Sequence, residues 1–483
     1  MNVKYQLAIN PTSRLSENLT HNKVTSSAAI LNAIILWIPL GPIIGFKVGM
    51  VILPGLISSL RTCCAGFPDK RKGGDTVYSM ADIGLSAFAP FFMQSESFLK
   101  HQRALEDGHG RSNCQTLFGM ARIPTDNHIR AMLDPVDPSH LQPCFDACLA
   151  ALREHGGIES FQRLGGRCLI ALDGTEYFRS QKLGCPHCLT RKRANGATER
   201  YHSMLAATLV APGHTMTVPF MPEFIEPQDG HEKQDCERAA AKRWLSTHGP
   251  RLAHLKPVYL GDDLFACQPI AQAVAAQGAD FLFTCKPDSH KTLYDFIAGA
   301  EAHTLEVKEK LKAKTQTVRY RWFNTVPLRD GKDAMSVNFI ALAITNAKGK
   351  VTYKNAFVTS LRITKDNAAA IAACARARWK IENEGFNVLK NNGYCLEHNF
   401  GHGNDRLSML FAAMNLLAFA FHTICDIAEA RWRKAREKKG TRKRLFEHIR
   451  TITAYLVFPN WTAFLETLIT SKPPPEMQNQ TQP

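Results

Sequence analysis

The chain has 483 residues, 45% of them apolar and 21% charged, with 31 Gly and 25 Pro. At roughly 150 residues per domain this is about three domains, which excludes a small disulfide scaffold, a lone binding module, a collagen-like repeat and a disordered chain. Lys and Arg outnumber Asp and Glu by 59 to 43, a formal charge of +16, and that surplus favours a polyanionic partner, either nucleic acid or an anionic membrane surface. The 14 Cys are scattered apart from the pair Cys185-x-x-Cys188, which suits a reduced intracellular setting.

In chain order, residues 1–62 read as an apolar leader. The 19 residues from Ala28 to Phe46 carry no charge and reach the length of a membrane span, but Pro39, Gly41, Pro42 and Gly45 interrupt them. The expectation is a buried or interfacial hairpin, or a leader that the rest of the protein does not need, and a soluble body, since no later segment is read as long enough to span. Residues 63–160 read as helical, with apolar clusters such as Leu85, Phe88, Ala89, Phe91 and Phe92, and are expected to bind DNA. The period then changes. Cys168–Leu172 is a continuous apolar run of the kind that forms a strand covered on both faces, and Pro257–Gly261 and Phe281–Phe283 repeat the pattern with a helix, Ala266–Gln277, between them. A β-rich block over about 300–366 follows, and the helical period returns in Ala377–Lys390 and Leu407–Ile427. Residues 161–430 form the expected core, 431–471 a basic helical region in which Gly440 divides two helices, and 472–483 a disordered tail.

Three acids stand where chemistry is usually placed. Asp173 follows the first apolar run, Asp262 follows the second, and Glu382 falls on a helix after the β block. Ligands gather at the carboxyl ends of strands in open α/β sheets. Carboxylates converging from such distant positions can hold two Mg²⁺ or Mn²⁺ ions about 3.5–4 Å apart, one activating an attacking oxygen and the other stabilising the leaving oxygen of a phosphodiester. Each acid also has a plain structural reading: Asp173-Gly174 as a turn, Asp262 as a helix N-cap, Glu382 as an i,i+4 partner of Arg378.

Taken jointly, Leu172-Asp-Gly-Thr175, the strand before Asp262, Phe357-Val-Thr-Ser-Leu361 and Arg378-Trp-Lys-Ile-Glu382 resemble the DDE transposases of bacterial insertion sequences, over roughly residues 64–430. The resemblance implies an α/β fold: a ribonuclease-H-like mixed sheet with a β-strand insertion before the catalytic Glu, a helical N-terminal DNA-binding region and a helical C-terminal region. It implies Asp173, Asp262 and Glu382 as catalytic metal ligands, with Asp263 and Glu384 as their rivals for assignment. Arg378 and Lys390 are the implied phosphate contacts. Relatives place that Lys seven residues after the Glu; here it is eight, about 80° round an ideal helix, so Lys390 is expected to approach DNA from beside the carboxylate.

Cys185, Cys188, His202 and Cys236 form a second constellation with zinc-knuckle character, His187 being a competing ligand and buried thiols the plain alternative. Zinc there would staple a loop near the active site. Ten Lys or Arg against two Glu between Arg431 and Arg450, among them Arg431, Arg433 and Lys434, together with Arg191, Lys192 and Arg193, make the expected footprint on DNA. The expected activity is metal-dependent cleavage and strand transfer at the ends of an insertion sequence, in the bacterial cytoplasm. Its partners would be double-stranded terminal repeats and target DNA, bound as a homodimer, with no membrane role. A catalytically inactive DNA-binding descendant of a transposase and a stand-alone nuclease are the competing functions.

Overall fold

Each central strand carries two apolar stripes, one per face, and each stripe needs its own cover. Leu169, Ala171, Val258, Leu260 and Leu282 belong to one buried cluster, while the alternate residues Ile170, Leu172, Tyr259, Phe281 and Phe283 belong to another. The computed structural model describes residues 52–73, 76–106, 111–227, 236–311 and 314–472, so the uncharged run Ala28–Phe46 and residues 473–483 of the tail lie outside the described residues.

Helices α1 (Ile52–Ala65), α2 (Met80–Phe92), α3 (Phe98–Glu106), α4 (Arg111–Phe118), α5 (Asp126–Leu133) and α6 (Gln142–Glu154) come first. Strands β1 (Gln162–Arg163), β2 (Arg167–Ser180), β3 (Leu189–Lys192), β4 (Thr198–Val210), β5 (Val218–Pro219) and β6 (Glu223–Ile225) follow. Then come α7 (Glu237–Leu252), β7 (Val258–Gly261), α8 (Gln268–Ala275), β8 (Asp280–Thr284) and α9 (Lys291–Ala298). A meander of β9 (His303–Leu311), β10 (Lys314–Pro327), β11 (Ser336–Asn346) and β12 (Val351–Thr359) leads to α10 (Ala368–Arg376) and α11 (Asn387–Asn391). The chain closes with α12 (Leu407–Ala428), α13 (Ala430–Lys439), α14 (Arg442–Tyr455) and α15 (Trp461–Thr470).

The sheet runs β3-β4-β2-β7-β8-β12-β11-β10-β9. The pairs β2·β7 and β7·β8 are parallel and the rest of this path is antiparallel, so a ribonuclease-H-like mixed sheet is continued at its β8 edge by the inserted meander. On one face α10 lays Ile371, Ala372 and Ala375 over Leu260, Leu282, Ile340 and Leu342. The other face is covered by α7 and α8, and its cluster continues without a break into α1, α2, α6 and α12–α15. The N- and C-terminal helical regions therefore share one core. Gly440, at φ +81°, ends α13, and the Thr441 side chain caps α14 by accepting from the Arg444 N–H.

Three expectations need correction. The boundary of the leader at residue 62 cuts a helix that belongs to the core: Leu53, Leu56 and Leu60 of α1 are buried, and the Ile52 N–H donates to the Glu429 carboxylate at 2.8 Å. A second segment does reach spanning length, since α12 is 22 residues long and apolar enough to cross a membrane, but its most apolar stretch is wholly buried among other helices. Finally, the strand before Asp173 does not stop there; β2 continues to Ser180, because antiparallel pairing with β4 supports it as far as Ser180↔Arg200.

Candidate active site

Asp173 and Asp262 become neighbours through strand register. Leu169, Ile170 and Ala171 pair with Val258, Tyr259 and Leu260, and the same register carried two residues further sets Asp173 opposite Asp262. Both acids have the parity of Leu169, Ala171, Val258 and Leu260, so they rise from the face covered by α10. Parallel pairing ends where they begin, which frees their carboxylates from the apolar layer. Gly174 follows for a steric reason: a Cβ at that position would collide with the Glu237 carboxylate at the start of α7.

Glu382 arrives from above the same face. After α10 the helix tightens into a short 3₁₀ turn, Ala377–Trp379, and then widens into a π-helical turn, Ile381–Phe386. Buried Ala375, Ala377 and Ile381 hold this segment on the sheet. Such π turns cluster at functional sites because they re-aim side chains. Arg378 joins the two elements: its guanidinium meets Asp173 Oδ2 at 3.2 Å and Glu382 Oε1 at 2.7 Å. Of the plain structural readings only the i,i+4 pair with Glu382 is present: Asp262 accepts from the Leu264 N–H at 2.9 Å within a turn but caps no helix, since α8 begins at Gln268 with Cys267 as its N-cap, and Asp173-Gly174 lies inside β2 rather than in a turn.

The electrostatics report a crowded set of acids. Burial pushes the Asp173 carboxyl up to about 7; Arg378 pulls it back, while Glu382, Asp262 and Glu237 raise it. Burial and then Asp262 raise Glu237 in turn. Glu237 is thus a fourth carboxylate at the site that the sequence reading passed over. The side chain of Asp173 is 18% exposed and that of Glu382 49%, so the site is a shelf with a buried floor and an open side.

The rival acids face elsewhere. Asp263 accepts from the Lys286 N–H at 2.6 Å and from the Ser289 hydroxyl, fastening the turn after β8. Glu384 pairs with Lys380 at 3.1 Å on the half-buried side of the same helix. The displaced Lys390 also finds its explanation. A π turn absorbs one extra residue, about 100° of helical rotation, so eight residues after Glu382 come round to where seven would on an α-helix, about −20°. By this count Lys390 comes round toward the Glu382 side, and its Nζ pairs with Glu397 at 2.9 Å.

Residues 165–419, more than half of the chain, match the family described as Transposase DDE domain. The chain belongs to that family. No curated protein matches it. As a DDE transposase it is one of a family of catalytic enzymes that act on DNA and use divalent metal.

The proposed DNA contacts of this transposase divide into engaged and open groups. Arg191 is held by Glu176 and Glu199 and stacks on Tyr201, Arg193 by Glu199, and Arg431 by Glu466 at 3.2 Å. Arg433 donates to the Ile427 carbonyl. Lys192 and Lys434 are exposed. Of the Cys and His candidates, the structure brings together Cys185, Cys188 and His202, and adds His402. Cys236 is not in that group: it is exposed and leads into α7, where its backbone carbonyl accepts from the Ala240 N–H. His187 is not in it either, because its two ring nitrogens face Glu226 and Asp405 at 2.8 Å each.

Proposed function

We propose that this transposase cuts DNA at the ends of an insertion sequence and joins the freed ends to target DNA, with Asp173, Asp262 and Glu382 as its catalytic acids. The observation that carries the reading is the Arg378 bridge between Asp173 and Glu382, on the face where strand register puts Asp262 beside Asp173. The donor set fits a hard divalent ion such as Mg²⁺ or Mn²⁺: it offers only carboxylate oxygens, and burial and like charge hold one of them above its ordinary range. Two such ions, bound there, would supply Lewis-acid activation of an attacking oxygen and stabilisation of a leaving one.

The chain's own residues do the remainder. Arg378 fixes the two acids it bridges and keeps positive charge next to the scissile phosphate. The floor formed by Ala171, Leu260 and Ile381 keeps water from beneath the carboxylates. Lys192, Lys434, Lys438, Lys443 and Arg444 are exposed and would contact phosphates irrespective of sequence. Water attacks first, leaving a 3′ hydroxyl on the element, and that hydroxyl then attacks a target phosphate with loss of the target's own 3′ oxygen. Two ends cut in concert call for a homodimer on DNA, working on the chromosome in the cytoplasm.

The test is to incubate the full chain and Mg²⁺ with a duplex carrying the sequences that flank its gene, plus a supercoiled target plasmid. The reading expects a nick at the element boundary with a 3′ hydroxyl, followed by a joined product. Degradation without a preferred boundary would favour the stand-alone nuclease, and binding without cutting the inactive descendant.

A further inference from the structure

We propose that Cys185, Cys188, His202 and His402 hold a structural zinc ion that fastens the β2–β4 hairpin to the segment between α11 and α12. Among the described residues this is the group of His, Cys, Asp or Glu whose ligand atoms all lie within 4.8 Å of one another, and three of the four side chains are buried.

The spacing argues for zinc edge by edge. A tetrahedral ion with Zn–S near 2.3 Å and Zn–N near 2.0–2.1 Å requires edges of about 3.8 Å between sulfurs, about 3.5 Å between sulfur and nitrogen and about 3.3 Å between nitrogens. Cys185 Sγ and Cys188 Sγ are 3.8 Å apart. His202 Nε2 is 3.5 Å from Cys185 Sγ and 3.4 Å from Cys188 Sγ, and His402 Nε2 is 3.4 Å from Cys188 Sγ. The two Nε2 atoms are 3.2 Å apart. Five of the six edges match, and the sixth, from Cys185 Sγ to His402, lies within 4.8 Å.

The surroundings are built for a closed site. His402 Nδ1 lies 2.8 Å from the Gly403 carbonyl, so the proton sits on Nδ1 and the Nε2 lone pair faces the thiolates, the usual outer partner of a zinc-bound imidazole. Phe178 packs against the His402 ring at 4.4 Å, and Tyr177 stacks on His202 at 5.7 Å, shutting off water from that side. The loop after His402 is pinned as well: the Asp134 carboxylate accepts from the N–H groups of Asn404 and Asp405, and Asp405 reaches back to His187 inside the Cys-Pro-His-Cys turn. His202 pairs across the sheet with Phe178, five residues along β2 from Asp173, so the ion would sit about 17 Å from the catalytic acids at about 3.3 Å per residue and take no part in the chemistry. It joins the turn after β2 and the neighbouring strand β4, which pairs with the strand that carries Asp173, to the segment that follows the Glu382 helix, and so bears on the relative placement of the two halves of the active site.

The experiment measures metal in the full-length protein purified without chelator, by elemental analysis, for wild type, Cys236→Ala and His402→Ala. The proposal expects about one zinc per chain in the wild type and in Cys236→Ala, and at least a tenfold loss in soluble His402→Ala. Wild-type protein with well under one zinc, zinc loss in Cys236→Ala, or a Cys185–Cys188 disulfide in fresh protein would overturn it. Two measurements need no variant. Replacement by Co²⁺ should give a tetrahedral spectrum with a thiolate-to-cobalt band, and its absence would count against the thiolates. Stripping with chelator should lower the melting temperature and zinc alone should restore it; an unchanged melt would refute a structural role. None of these readouts depends on DNA cleavage, so failure here leaves the DDE reading standing.

Discussion

Replacing Asp173 by Asn should make the protein more stable while destroying its activity. Burial holds this carboxyl near 7 against an ordinary 3.8; Arg378 works the other way, and Glu382, Asp262 and Glu237 add to the rise. At about 1.4 kcal/mol for each tenfold change in proton affinity, the charged form costs the folded state up to about 4 kcal/mol. The sign follows from the two states. The unfolded chain gives up this proton near 3.8 and the folded chain near 7, so between those values the native state binds more protons and stability falls as pH rises. The cost is absent below about pH 4 and complete above about pH 7. Asn keeps the shape and removes the charge. Thermal unfolding without added Mg²⁺ and without chelator, so that the Cys/His site is undisturbed, should show the variant melting several degrees above wild type near pH 8, with the gap closing toward pH 5. Added Mg²⁺ should stabilise the wild type and leave the variant unmoved. A gap that stays constant across this range, or a wild type more stable throughout, would refute the reasoning.

Glu237→Gln removes one of the negative neighbours that raise Asp173, so Asp173 should ionise at lower pH and the acidic limb of the cleavage rate should move down; a limb that stays in place would separate Glu237 from the site. Truncation before Ile52 should leave a folded protein, whereas truncation through residue 62 removes Leu53, Leu56 and Leu60, about 5–9 kcal/mol of burial at about 1.5–3 kcal/mol each, and should yield insoluble chain. Equal solubility of the two truncations would contradict the placement of α1. Asp426→Ala strands the guanidinium groups of Arg436 and Arg442, now 2.8 and 3.0 Å from that buried carboxylate, and should cost about 3–5 kcal/mol in denaturant unfolding. A change below about 1 kcal/mol would show that the solvent already serves these arginines.

The central strands were legible because a strand covered on both faces needs a continuous apolar run, and Cys168–Leu172 and Val258–Gly261 supply one directly before an Asp. Arg378 to Glu382 was legible for its i,i+4 spacing, which survives as the ion pair. What was hidden is mostly long-range. Strand β4 escaped because Met204-Leu205-Ala206-Ala207 consists of good helix formers, and only cover on both faces makes it extended. His402 stands 214 residues from Cys188, so no local spacing pointed to it, and Cys236 was the nearer choice in sequence. Glu237 belongs to no sequence motif, and only the fold, which starts α7 there, brings its carboxylate against Gly174. The π turn that re-registers Lys390 depends on how the helix seats on the sheet, which periodicity alone does not encode. The basic residues misled in part: their charge counts toward DNA, yet Arg191, Arg193, Arg431, Arg436 and Arg442 are spent on carboxylates within the protein.

The central claim is that one particular trio of acids, and not its sequence neighbours, cuts DNA. The most direct measurement is strand cleavage of an element-end duplex in Mg²⁺ by Asp262→Asn and Asp263→Asn side by side, and by Glu382→Gln and Glu384→Gln, with DNA binding measured on the same preparations. The account predicts loss of cleavage by at least a hundredfold in Asp262→Asn and Glu382→Gln with binding retained, and cleavage within about tenfold of wild type in folded Asp263→Asn and Glu384→Gln. Cleavage that survives in Asp262→Asn or Glu382→Gln, or that vanishes only in the neighbouring variants, would contradict it.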